Sequence, residues 1–129
     1  MSLQLAQKSY RRAEQADQNI PDDAHAVIGV ALTELQAALE TLSVAAEASR
    51  PLSSSAMTKA MSSIYLLQSS LDFERGGEIA PALFQVYEYC RQHLISAFRN
   101  EAGSDAGLTQ AAQFIRSLRE AWSGMAKPA

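Results

Sequence analysis

Ile64-Tyr65-Leu66-Leu67-Gln68-Ser69-Ser70-Leu71-Asp72-Phe73-Glu74-Arg75-Gly76-Gly77-Glu78-Ile79-Ala80 is the stretch that decides the fold. Ile64, Leu67 and Leu71 recur at steps of three and four, the period of an amphipathic helix. The stripe stops at an acidic turn, where Gly76 and Gly77 permit positive φ and Glu78 suits the positive end of the next helix. A helical hairpin is predicted, and it contains no nucleophile–base pair, metal-ligand set or phosphate loop. Such a hairpin points to a protein that works by offering surface to a partner.

Outward from this hairpin the same period repeats. Ile28, Leu32, Leu35, Leu39 and Leu42 form the seam of a helix predicted over 22–48, with Pro21-Asp22-Asp23 as its start. Pro51 and the serines after it break the pattern, and a second helix over 55–71 carries Met57, Ala60, Ile64, Leu67 and Leu71. A third, over 78–100, tolerates Pro81 in its first turn and has the seam Ile79, Leu83, Val86, Cys90, His93 or Leu94, and Ala97. The fourth, over 106–125, carries Leu108, Ala111, Ile115, Leu118, Trp122 and Met125. A weaker helical pattern with Leu3, Ala6, Tyr10 and Ala13 precedes them, within an N-terminal segment 1–20. Short connections favour antiparallel neighbours. The fold class expected is all-α: an antiparallel up-down-up-down four-helix bundle with an additional short N-terminal helix or lid.

A chain of 129 residues, 47% hydrophobic and 19% charged, fits one domain spanning 1–129. Folding at this size buries about two-thirds of the unfolded surface, enough for a core without covalent staples. A net charge of -3 argues against nucleic acid, which needs a concentrated basic face. Cys90 is the one cysteine, which excludes an intrachain disulfide and suits a reducing cytoplasm. The first residues lack the apolar core of a signal peptide, and no stretch is read as the roughly 20 apolar residues of a membrane span. No membrane insertion is expected.

The third helix has a second apolar row, Phe84, Tyr87, Leu94 and Phe98. It reads either as one broad core face or as a groove that accepts another helix. In the second reading the segment around Tyr10 lies in the groove until a partner displaces it. Ile64 and Leu71 are further candidate contacts, equally explained as core.

Candidate chemistry elsewhere is eliminated residue by residue. Asp22 and His25 are three apart, but a carboxylate-bridged metal site needs a second such motif and two more carboxylates, so capping explains the pair. Cys90 and His93 supply two ligands where a structural zinc needs four, and a buried thiol is the simpler reading of Cys90. Arg75-Gly76-Gly77-Glu78 follows a helix rather than a strand and lacks the Gly-Lys-Ser/Thr end of a nucleotide loop. No cofactor, metal or catalytic residue is expected, and the protein reads as a non-enzyme.

These residues resemble the flagellin export chaperones of the FliS family. Its middle region runs Leu-x-x-Ser-Leu-Asp, an acidic turn with Gly-Gly-Glu-Ile-Ala, a Leu, then Tyr-x-Tyr. Here it is supplied by Leu67, Ser70-Leu71-Asp72, Glu74, Gly76-Gly77-Glu78-Ile79-Ala80, Leu83, Tyr87 and Tyr89. Leu94 and Ala97 fit a following Leu-x-x-Ala, and Leu118-Arg119-Glu120-Ala121-Trp122 fits the family's finish. The resemblance covers about half of the chain, from near Lys59 to Trp122. The N-terminal half departs: Tyr10, Pro21 and Asp23 stand for the family's tyrosine, proline and glutamate, but Ala24 replaces its leucine and Ile28-Gly29-Val30-Ala31 a Leu-Tyr-Asp-Gly-like run.

The resemblance implies a cytoplasmic helical bundle that binds the C-terminal segment of flagellin, prevents premature polymerisation and presents it to the flagellar export gate. Tyr10, Ile64, Leu71, Phe84, Tyr87, Leu94 and Phe98 are then the candidate partner-binding residues. The alternative is a non-enzymatic homodimeric bundle with a regulatory role or a different client, the extra apolar row forming its dimer contact.

Overall fold

The computed structural model describes residues 24–74 and 77–124, and among them are four α-helices and no strand. They are α1 (Ala24–Glu47), α2 (Ser54–Ser69), α3 (Ile79–Phe98) and α4 (Ser104–Ser123). The N-terminal segment with Tyr10, the Asp22-Asp23 start, Arg75-Gly76 of the turn, and Met125 lie outside the described residues.

Each helix end has a local cause. Ser53 caps α2 by accepting a hydrogen bond from the Ala56 amide at 3.1 Å. α1 ends where Ser49 enters the left-handed region at φ 54°, with Ser49 N–H donating to Ala46 O at 3.1 Å and Arg50 N–H to Ala45 O at 2.8 Å. α3 ends by the same double bond pattern: Asn100, also at φ 54°, donates to Ala97 O and Glu101 to Ser96 O, both at 3.1 Å. Asparagine tolerates that conformation better than serine does. Gly103 at φ 80° then starts α4 two residues earlier than the expected 106.

The four helices pack in a closed circuit, α1 against α2 and α4, and α3 against α2 and α4. Ile28, Leu32, Leu35, Leu39 and Leu42 of α1 are all at most 1% exposed, as their spacing predicts. α2 adds Ala60, Ile64 and Leu67, followed by Leu71 in the turn; Met57 is only partly buried. In α3 the buried seam is Ala80, Leu83, Tyr87, Cys90, Leu94 and Ala97, in strict alternation of three and four. Val86, expected in that seam, is partly exposed, because one residue of register turns a helical side chain by about 100°. Leu108, Ala111, Ala112, Ile115, Leu118 and Trp122 complete the core from α4.

By length and apolar content α1 does reach the range of a membrane-spanning helix over His25–Glu47, contrary to the sequence reading. Alanines raise its mean hydropathy without a run of large side chains, and half of that window is buried inside the fold.

Polar bonds join the helices where the core ends. The start of α1 meets the end of α4: Trp122 Nε1 donates to His25 O at 2.9 Å, and His25 Nε2 to Trp122 O at 2.9 Å. The imidazole and indole stack with centroids 4.9 Å apart and planes 16° apart. Along the same junction Arg116 pairs with Glu40 at 2.6 Å, and Arg119 donates to Gln36. Farther along, Thr109 Oγ1 donates to Glu47 Oε1 at 2.8 Å; its one hydrogen being used, the bond of 2.7 Å to buried Ser43 is donated by Ser43. Between α2 and α3, Gln68 Nε2 donates to Phe84 O and Glu88 Oε1, both at 3.3 Å. The Arg91 guanidinium forks onto Glu88 and is the main reason its carboxyl is held well below the ordinary range, at about 2.

Two outcomes follow from these ends and links. Ser49→Gly relieves the left-handed serine but adds freedom to the unfolded chain, for a net gain of about 0.5–1 kcal/mol, read as a raised urea midpoint at unchanged slope. Glu88 binds fewer protons folded than unfolded between its ordinary value of 4.5 and about 2, so its stabilisation is complete above that window and lost as pH falls through it. Thermal melts of the chain and of Glu88→Gln should differ at pH 6 and converge near pH 2.

Candidate functional site

α3 exposes two flanks beside its buried seam. The one facing α2 carries Phe84 and the Glu88–Arg91 pair; the one facing α4 carries Val86, Tyr89 and His93. On this second flank lies an open groove of about 670 Å³ between α3 and α4. Val86, Tyr89 and Phe114 give it an apolar lining, and Gln85, Gln110, Gln113 and Ser117 line it with neutral polar groups. Tyr89 is 42% exposed and Phe114 44%, values far above those of core aromatics such as Tyr87 and Trp122.

One close approach between the helices builds this groove. A Cβ on Gly107 of α4 would stand 2.2 Å from His93 Nδ1, so the absence of a side chain lets the imidazole lie directly on the α4 backbone. His93 in turn meets Tyr89 edge to face, with centroids 4.3 Å apart. The Tyr89 hydroxyl donates to Gln110 Oε1 at 3.1 Å, crossing from α3 to α4. Tyr89 is thereby held at both its ring and its hydroxyl.

The candidate contacts separate on this frame. Ile64, Leu71, Tyr87 and Leu94 lie in the core, at most 6% exposed, where a docking partner does not reach them in this conformation. Leu94 and Tyr87 follow the three–four alternation of the seam, which decides the broad-row question in favour of core for both. Phe84 is half-buried and packs on Phe73 of the turn with centroids 5.9 Å apart, whereas Phe98 is 44% exposed at the end of α3. Tyr10 lies outside the described residues. The groove residues Val86, Tyr89 and Phe114 are not among the candidate contacts read from the sequence, Val86 because it mimics a seam position; Phe114, an aromatic off the seam beside Ile115, is the available signal.

The groove lining is made of apolar side chains, amides and one hydroxyl besides that of Tyr89. Burial pushes the Cys90 thiol up to about 12, which leaves it protonated near neutral pH. His25 is engaged by Trp122, and among the described residues no three His, Cys, Asp or Glu side chains gather as a metal would require. An uncharged groove with apolar anchors and amide rims can seat an amphipathic helix and satisfy polar groups along its edge.

A family model described as "Flagellar protein FliS" matches residues 2–129, including the N-terminal half in which the motif resemblance fades. No curated protein and no solved structure matches the chain.

The contact between Gly107 and His93 yields a quantitative outcome. Gly107→Ala should cost about 1–3 kcal/mol by driving the imidazole off α4. Adding His93→Ala should return most of that loss. Urea unfolding of the two single variants and the double variant measures this non-additivity directly.

Proposed function

The chain belongs to the flagellar protein FliS family, and from that membership we propose that it is a cytoplasmic, non-enzymatic export chaperone for the C-terminal segment of flagellin. A flagellar export chaperone role is general to the family. The observation that carries the finer reading is the uncharged groove of Val86, Tyr89 and Phe114 between α3 and α4. A disordered client gives up about 2–5 kcal/mol to ordering, so it needs spaced apolar anchors to be held at all. Laid in as an amphipathic helix, it meets those anchors on one side and the amides of Gln85, Gln110 and Gln113 at its edges. Holding the segment in this way keeps it from polymerising before export and leaves it presentable to the export gate.

The circuit of helix contacts supports an up-down-up-down four-helix bundle as the scaffold. The start of α1 meets the end of α4 through His25 and Trp122, and the end of α1 meets the start of α4 through Glu47 and Thr109. Phe98 and the exposed part of Phe84 are assigned to a second strip of client contact along α3. The segment 1–20, with Tyr10, is assigned the role of a lid that the client displaces.

Calorimetric titration with the C-terminal segment of flagellin from the same organism tests this reading. One-to-one binding at micromolar affinity, about -8 kcal/mol, with a negative heat-capacity change is expected. Phe114→Ala should weaken it about tenfold, the loss of about 1.4 kcal/mol, without lowering the melting temperature of an already exposed position. Absence of binding by correctly folded protein would sink the assignment of flagellin as client.

A further inference from the structure

Every Asp, Glu, Lys and Arg of α3 and α4 lies outside the lining of the groove between them. Glu88 and Arg91 pair with each other on the flank of α3 that faces α2, where Gln68 also reaches Glu88. Arg116 and Arg119 bond to Glu40 and Gln36 of α1, and Glu120 stands 4.0 Å from Arg119. Asp105 lines a separate recess at the end of the bundle, with Pro51 and Asn100. The two helices thus sort their charges onto their outer neighbours and leave the groove apolar and neutral.

The polar groups that do line it stand on both walls. On α4, Gln110, Gln113 and Ser117 follow at steps of three and four and share one edge over about 10 Å, at about 1.5 Å per residue. Gln85 stands on the α3 wall, one turn before Tyr89. Gln110 accepts the Tyr89 hydroxyl at 3.1 Å, whereas Gln85 and Gln113 are exposed and make no hydrogen bond with other described residues. A primary amide both donates and accepts, so it pairs with Asn, Gln, Ser or Thr in either sense. A carboxylate or ammonium seated on the same lining loses hydration and meets no opposite charge.

We propose that the groove selects by excluding charge. It takes an amphipathic helix whose apolar side rests on Val86, Tyr89 and Phe114 and whose flanking positions are Asn, Gln, Ser or Thr, with Gln85 and Gln113 as the specificity-determining residues. This rests on the reading of the flagellin C-terminal segment as client, and it assigns the chemistry of the part of that segment seated here.

The test is calorimetric titration of the full chain with the C-terminal segment of flagellin from the same organism, in about 0.15 M salt, where the Debye length is about 8 Å. Gln85 and Gln113 are each changed to Glu and, separately, to Lys. Ser62→Glu and Ser62→Lys, exposed on α2 and diagonal to α4 in the circuit of helices, measure what a change of net charge does by itself. At both groove positions both signs should weaken binding, by about fivefold beyond the Ser62 controls. Thermal melts should stay where they are, because both glutamines are exposed in the free protein. Opposite responses, one sign tightening and the other loosening, mean a charged client edge; they overturn the proposal and leave flagellin as client. Indifference to all four substitutions also overturns it, since the amides then do not meet the client. A segment that fails to bind the unaltered, folded chain ends the flagellin reading and takes this proposal with it.

Discussion

The closure of α1 onto α4 is the contact on which the remaining geometry depends. Two helical hairpins can each bury one side of their seams, but the core stays open to water until α1 and α4 meet. Trp122 fills that junction, 2% exposed, and its indole N–H and backbone carbonyl are both engaged by His25. Satisfying both polar groups matters because a buried donor or acceptor left unmade costs about 1–3 kcal/mol. The indole also packs against Gly29, where an added methyl would meet it in ordinary contact at 3.6 Å. Once α4 is fixed on one side by this clasp, its other side is fixed against α3 by the meeting of Gly107 and His93, and the groove takes its shape there.

The seams were legible in the sequence because burial on a helix has a period, and α1 displays it without interruption. In α3 legibility failed by one residue. Val86 is a plain apolar residue at plausible spacing, whereas Tyr87 carries a hydroxyl and suggested a partner anchor; the structure buries Tyr87 and turns Val86 outward. Only the strict alternation through Ala80, Leu83, Tyr87, Cys90, Leu94 and Ala97 identifies the seam, and two competing rows hid it.

The groove was less legible, for a different reason. It belongs to two helices at once, and nothing local couples Tyr89 to Gln110 or Val86 to Phe114. Gly107 shows the same limit: within its helix it costs about 1 kcal/mol relative to alanine, and its use appears only when His93 is laid across it. The reciprocal bonds of His25 and Trp122 join residues 97 apart in the chain. Periodicity describes one face of one helix, and the pairing of faces is decided by packing.

Trp122 is also the one tryptophan of the chain. An optical signal excited in the indole band therefore comes from a single, identified junction and from no other part of the molecule. Stacked on an imidazole and shielded from water, that indole emits from an apolar setting only while α1 and α4 remain joined. The residue that closes the core is thus a built-in fluorophore, whose colour separates opening of that junction from rearrangements that leave it shut.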